Sequence, residues 1–173
     1  ILISLFSLTV FSCAKKSDSS STTSSGLFVA VGDSGTILTS SDGTSWDNRT
    51  SGTSNGLYNI FYGNSTIVAV GGSGTILTSS DGTTWTSRTS GTSENLYGIT
   101  YGNSTFVVVG DNDSGSVGTI LTSSDGITWT PRTSGTTNDL WDVNYGNNTF
   151  VASDSTGGII TSSDGISWTS RVG

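Results

Sequence analysis

A seven-residue motif, Ser-Ser-Asp-Gly-x-x-Trp, occurs four times in this chain, at residues 40–46, 79–85, 123–129 and 162–168. Its tryptophans are 39, 44 and 39 residues apart. The text between them also repeats. Phe28-Val-Ala-Val-Gly returns as Ile67-Val-Ala-Val-Gly, as Phe106-Val-Val-Val-Gly and, more loosely, as Phe150-Val-Ala-Ser-Asp. A fixed period near 40 residues with four short apolar runs per unit is the mark of a blade array. A unit of that size cannot bury both faces of its own sheet, so the units must stack on one another. The reading is therefore all-β: a β-propeller of four-stranded blades, each of about 39–44 residues.

The third unit shows the strand pattern. Strand A is expected over residues 96–101, with Tyr97, Ile99 and Tyr101 on one face by simple alternation. A turn at Gly102-Asn-Ser-Thr leads to strand B over 106–109, continuously apolar, as in a strand covered on both faces. Strand C follows over 119–122 and strand D over 129–133, where Pro131 suits an outer edge because no ladder donor is needed there. The repeats divide as residues 27–56, 57–95, 96–139 and 140–173. By this count three blades are complete and the first begins at its strand B, over 27–31. That reading makes the chain a piece of a larger propeller, or one of several copies that associate through the unclosed blade.

Composition agrees with short strands and tight turns. Of 173 residues, 32% are apolar and 24 are glycine, and the five tryptophans argue against disorder, except over residues 15–25. The net charge is −7, and both lysines lie ahead of the repeats at Lys15 and Lys16. Nucleic acid is disfavoured as a partner, since binding phosphate needs clustered cations.

The first thirteen residues form an apolar run that is too short to span a bilayer and ends at the single cysteine, Cys13. Ala14, the two lysines and a Ser/Thr/Asp stretch follow. Val10-Phe11-Ser12-Cys13 resembles a permissive bacterial lipobox of the spirochaete kind, although Phe11 is large for that position. The resemblance implies a signal remnant over 1–13, lipidation of Cys13, a tether over 14–26 and a location in the cell envelope, at the outer membrane or cell surface. The other reading is an apolar strand carrying a free cysteine.

In the repeated turn, the carboxylate can accept backbone N–H bonds while the following glycine takes a positive φ. The turn residues are Asp42, Gly43 and Trp46, then Asp81, Gly82 and Trp85, then Asp125, Gly126 and Trp129, and last Asp164, Gly165 and Trp168. The motif resembles the Asp-box (BNR-like) repeat of sialidase-type propellers, with one residue fewer before the aromatic. That family places its Asp boxes at the blade periphery, which implies a structural role here.

Candidate chemistry is sparse. With no histidine, imidazole base catalysis and Ser-His-Asp relays are excluded, and a lone cysteine excludes thiolate zinc sites. Arg49, Arg88, Arg132 and Arg171 occupy one equivalent place on the outer strand, so they cannot converge as a sialidase arginine triad does, and Glu94 is the only glutamate. The expectation is no enzyme and no cofactor. Asp111 and Asp113 resemble the start of a Ca²⁺ loop, but Thr122 stands where the bidentate Glu belongs, so no metal is expected.

Differences among the units gather at the D–A connector and the B–C turn, which share one rim, and on one face of strand A at Asn59, Gly98 and Asp142 and at Phe61, Thr100 and Asn144. The candidate binding rim is Glu94, Asn95, Asp111, Asn112, Asp113, Asn138 and Asp139. The expected function is an envelope-anchored binding or scaffold module for a protein or glycan. The alternatives are a lectin-like propeller and a degenerate Asp-box glycoside hydrolase.

Overall fold

The computed structural model describes residues 10–16, 26–112, 115 and 117–171. Its strands form four antiparallel sheets, each in the order of the chain. The first contains β1 (Val10–Lys16), β2 (Leu27–Gly32), β3 (Thr36–Ser40) and β4 (Asp47–Arg49). The second contains β5 (Leu57–Gly63), β6 (Thr66–Gly71), β7 (Ile76–Ser79) and β8 (Thr86–Arg88). The third contains β9 (Leu96–Gly102), β10 (Thr105–Gly110), β11 (Thr119–Ser123) and β12 (Thr130–Thr133). The fourth contains β13 (Leu140–Gly146), β14 (Thr149–Asp154), β15 (Ile159–Ser162) and β16 (Thr169–Arg171). The first strands of successive sheets pack side by side, β1 on β5, β5 on β9 and β9 on β13, and form the inner wall of the array.

One difference from the sequence reading concerns the first blade. It has a fourth strand: Val10–Lys16 pairs antiparallel with β2, matching Cys13 to Ala30 and Lys16 to Leu27. Residues assigned to the lipobox and tether thus serve as strand A of that sheet. Without them the inner edge of β2 would present an unpaired row of backbone donors and acceptors.

The second difference concerns side-chain parity. Each inner strand has a register shift after its first residue: between Val10 and Ser12, Leu57 and Asn59, Leu96 and Gly98, and Leu140 and Asp142. The extra residue is Phe11, Tyr58, Tyr97 or Trp141. A bulge reverses the alternation beyond it. Leu96 and Ile99 therefore enter the same core cluster, with Tyr101 packed against it, and Tyr97 does not share their face.

The core lies between the sheets. One cluster joins Val29, Val31 and Ile37 of the first sheet to Leu57, Ile60, Ile67, Ala69 and Leu77 of the second, with Trp85 packed against it. The next joins Val68, Val70 and Ile76 to Leu96, Ile99, Phe106, Val108, Leu121 and Trp129. The third joins Val107, Val109 and Ile120 to Leu140, Val143, Phe150, Ala152 and Ile160, with Trp168 packed against it. Each joint uses the B- and C-strand residues of one blade and the A strand, alternate B-strand residues and tryptophan of the next. At the inner wall the blades approach so closely that a Cβ on Gly98 would lie 2.9 Å from the Asp142 Cα and 3.0 Å from the Val143 nitrogen.

The A–B turns centre on Asn64-Ser65, Asn103-Ser104 and Asn147-Asn148, all at positive φ. Paired positive φ is the type I′ hairpin geometry, whose twist matches the strands it joins. The Asn64 Nδ2 donates to the Ser124 carbonyl of the next blade at 3.2 Å, and Asn103 does the same to Ser163 at 3.4 Å. The A–B and C–D turns therefore lie on one side of the array.

In the Asp turns the carboxylate is exposed and the preceding serine is buried. Ser79 Oγ accepts from the Asp81 nitrogen at 3.2 Å and the Gly82 nitrogen at 2.7 Å, and donates to Asp81 Oδ1 at 2.9 Å. Asp81 Oδ1 then accepts from the nitrogens of Thr83 and Thr84 at 2.8 and 2.9 Å. The same network recurs around Asp42, Asp125 and Asp164. Gly82, Gly126 and Gly165, at φ of 75–78°, sit against the preceding blade near Leu27, Val68 and Val107. Trp85, Trp129 and Trp168 each donate Nε1–H to the carbonyl of that glycine. The turn thus ties the tryptophan to the joint it fills.

Two predictions follow from this turn. Ser79→Ala strands the buried Gly82 N–H and should cost about 1–3 kcal/mol in urea unfolding, more than Asp81→Ala, whose partners can turn to water. The second concerns acid. The backbone N–H bonds of the following residues hold all four turn carboxylates below the usual carboxylate value. A carboxylate whose folded pKa is depressed stabilises the fold above its unfolded pKa, and that contribution is lost as pH falls through the folded value. With no histidine in the chain, the melting temperature should be nearly flat from neutral down to about pH 5 and then fall steeply below about pH 4. Replacing the four Asp by Asn should lower the plateau and flatten the acid limb.

Candidate functional site

The D–A connectors and B–C turns lie together on the other side of the array, around the ends of the inner strands. The Asn55 Nδ2 donates to Thr75 Oγ1 at 2.8 Å, the Gly72 nitrogen to the Gly56 carbonyl at 2.9 Å, and the Gly74 nitrogen to the Glu94 carbonyl at 2.8 Å. Most of the expected rim residues are committed to these cross-connections. Asp111 is buried, and its carboxylate accepts from the Asn95 nitrogen and Nδ2, both at 2.7 Å, and from the Tyr97 hydroxyl at 3.3 Å. Asn95 Oδ1 accepts from the Ser73 nitrogen of the preceding blade. Asp139 Oδ1 accepts from the Asn112 nitrogen, and Asn112 Nδ2 donates to the Thr137 carbonyl. Asn138 Nδ2 donates to Asp154 Oδ2 at 2.9 Å and to Thr156 Oγ1. That bond is the main cause of the lowering of the Asp154 carboxyl to about 2, with the Thr156 and Gly158 nitrogens assisting and partial desolvation opposing.

The rim therefore acts as a belt of hydrogen bonds between connectors and turns. Asp113 lies outside the described residues. Asp111 has its oxygens turned to Asn95 and Tyr97, and among the described residues no group of three or more metal-ligating side chains comes together.

Inside this belt is a feature that the alternation argument missed. The bulge residues of three consecutive inner strands stack. Tyr58 and Tyr97 have ring centroids 5.5 Å apart at 26°, and Tyr97 and Trp141 are 5.6 Å apart at 14°. Phe11 occupies the same register position in β1. Trp141 is 56% exposed, the most exposed large apolar side chain among the described residues. Asp142 and Asn144 follow it on β13, also exposed, with Asn144 Nδ2 bonded to Asp142 Oδ2 at 2.9 Å. Burial, with the nearby Asp111 carboxylate, raises the Tyr97 phenol above its ordinary value. The sequence signal was present in the recurrence of an aromatic one residue after Leu57, Leu96 and Leu140. Only the bulge shows that these side chains leave the core face.

The arginines lie elsewhere. Nε of Arg49, Arg88, Arg132 and Arg171 donates to Thr39, Thr78, Thr122 and Thr161, each across the C–D strand pair at 2.7–2.9 Å. All four are therefore held on outer strands, away from the inner wall. The lipidation candidate, Cys13, lies in β1.

No protein-family model matches this chain, and no curated protein matches it. Solved structures do. YCF48 from Cyanidioschyzon merolae aligns over 96% of this chain and 56% of its own, with a TM-score of 0.67 and 19% identity. A structure of YCF48 bound to D1 peptide aligns over 98% and 54%, with a TM-score of 0.63 and 17% identity. The computationally designed Ika4 protein aligns over 89% of this chain and 90% of its own, at 0.66 and 13% identity. The Niastella koreensis GH74 enzyme aligns over 92% and 24%, at 0.56 and 19% identity. The chain spans little more than half the length of the YCF48 chains. At these identities the likeness is one of fold, and the fold is a β-propeller array of four-stranded blades.

Proposed function

We propose that this chain is a non-catalytic binding module whose working surface is the aromatic column of the inner wall. The single observation behind this reading is the stacked series Tyr58, Tyr97 and Trp141 inside a belt of hydrogen-bonded polar groups. Aromatic rings with a polar surround are the ordinary makings of a recognition surface, since they bury much area with little conformational freedom to lose. An extended peptide is the ligand that suits it best. The column repeats once per blade, the polar groups of the belt recur at the same interval, and a fold neighbour holds a peptide. The rim residues Asn95, Asp111, Asn138 and Asp139 then act mainly by holding the column in place.

A glycan is the second reading, because an exposed tryptophan face beside Asp142 and Asn144 is also suited to stacking a sugar ring. The hydrolase alternative has a GH74 enzyme among the fold neighbours, but the residues speak against it: the arginines are tied to outer-strand threonines, and Glu94 is the only glutamate. We place the module at the bacterial envelope, with Cys13 as its anchor. Cleavage before Cys13 would remove residues 10–12 from β1 and leave the pairings from Cys13 to Lys16 with Ala30 to Leu27.

Peptide and glycan arrays probed with the labelled chain should give saturable binding to extended peptides. Trp141→Ala should weaken that binding tenfold or more, an effect of about 1.4 kcal/mol, with an unchanged melting temperature. Full affinity in the Trp141→Ala variant would remove the column from the site. A signal on sugars alone would shift the reading to the lectin. For the anchor, Cys13→Ala should move the expressed protein from the detergent phase to the aqueous phase; equal partitioning of both forms would exclude a lipid at Cys13.

A further inference from the structure

We propose that the joints between the second and third sheets and between the third and fourth each carry a cleft that binds one neutral hexose unit of a saccharide. These clefts lie on the Asp-turn side of the array, away from the aromatic column, and the inference is independent of the binding reading above. On the face of the second sheet that meets the third, Val68, Val70 and Ile76 are dry. Toward the Asp turns the same rows continue as Thr66 and Thr78, and β8 sets Thr86 opposite Thr78 and Arg88 opposite Ile76. The third sheet supplies the other wall from its turn, with Asp125 and Ile127, and the space between is about 230 Å³.

The next joint repeats this residue for residue. Thr105, Thr122, Thr130 and Arg132 come from the third sheet and Asp164 and Ile166 from the turn of the fourth, around about 240 Å³. Both isoleucines are left without an apolar cover, Ile127 at 50% exposure and Ile166 at 48%.

The joint between the first and second sheets departs at three of these positions. Leu27 stands for the first threonine, Asp47 for Thr86 and Thr130, and Thr83 for the isoleucines. Leu27 fills the space: a Cβ on Gly82 would lie 2.5 Å from its Cδ2, whereas one on Gly126 would lie 3.6 Å from the Thr66 methyl. Asp47 pairs with Arg49 at 3.0 Å, the only ion pair among the described residues. Arg88 and Arg132 are held by Nε on Thr78 and Thr122 at 2.8 and 2.9 Å, and among the described residues no carboxylate pairs with them.

Each cleft thus sets a guanidinium against a carboxylate too far away to neutralise it, with hydroxyls between them and one bare aliphatic side chain. The turn amides bond Oδ1 of Asp125 and of Asp164, which leaves Oδ2 to accept from a ligand. An anion would suit the arginine and be repelled by the aspartate, and a cation would meet the reverse. A sugar ring satisfies both, because its hydroxyls accept from N–H groups and donate to a carboxylate, while its C–H face can lie on the isoleucine. The volume is below the range of about 300–1,000 Å³ usual for larger ligands, in keeping with a single ring.

NMR titration of the isotope-labelled chain with methyl glucoside, methyl galactoside and methyl mannoside tests the assignment. At least one of them should shift the Nε–H signals of Arg88 and Arg132 and the methyl signals of Ile127 and Ile166, and leave Arg49 unmoved. Thr86→Asp, which copies Asp47 and gives Arg88 a partner, should weaken the response at Arg88 tenfold or more and leave that at Arg132 intact. If Thr86→Asp fails to fold, Ile127→Thr, which copies Thr83, should weaken the same response. No shift at these residues with any of the three hexosides would overturn the proposal, and so would a response confined to Trp141, which puts the sugar at the column. Shifts produced by sodium acetate or sulfate but by no hexoside would make the clefts anion sites and overturn it equally.

Discussion

The joint between neighbouring sheets is the interaction on which this molecule depends. No blade has a core of its own. Val68, Val70 and Ile76 of the second sheet are dry only because the third sheet covers them, and Phe106, Val108 and Trp129 of the third are dry for the reciprocal reason. At roughly 25 cal/mol per Å² of apolar area removed from water, burial in these clusters is the main favourable contribution, and each cluster spans a blade boundary. Stability in such an array belongs to neighbouring pairs and not to the units themselves.

The repeated turn makes sense as part of that joint. The buried serine organises the chain reversal, the exposed aspartate caps the two following amides, and the glycine takes a backbone shape that lets the turn approach the preceding sheet. The tryptophan is then held by its own Nε1–H bond while its ring fills the gap. The opposite rim does an equivalent job with other residues. Asn95, Asp111, Asn112 and Asp139 tie one connector to the next turn, so the two sides of the array are laced by different chemistry around the same apolar joints. The inner wall is left to present the stacked rings of Tyr58, Tyr97 and Trp141.

The architecture was legible because it is written in repetition. Four copies of one motif give the period, and the strand ranges read from the third unit match the structure to within a residue or two. Two features were hidden for definite reasons. Val10–Lys16 carries the register of an inner strand, apolar then aromatic then small, but it is followed by a polar stretch in place of the Asn-Ser turn, and its cysteine and lysines also fit a lipobox. The aromatic column was hidden by parity. Strict alternation puts Tyr97 with Ile99, and only a residue inserted between Leu96 and Gly98 moves it to the neighbouring rings. The rim was located by where the blades differ, but Asp111 and Asn95 turned out to spend their hydrogen bonds on one another.

A double-mutant cycle across one joint tests the central claim most directly. Val68→Ala and Trp129→Ala lie in different sheets and share one cluster. If stability resides in the joint, their effects on unfolding should be coupled by about 0.5–3 kcal/mol, whereas Val29→Ala with Trp129→Ala, which belong to different joints, should add to within about 0.5 kcal/mol. Simple additivity for the first pair would contradict the account, because it would mean that each blade is stable by itself.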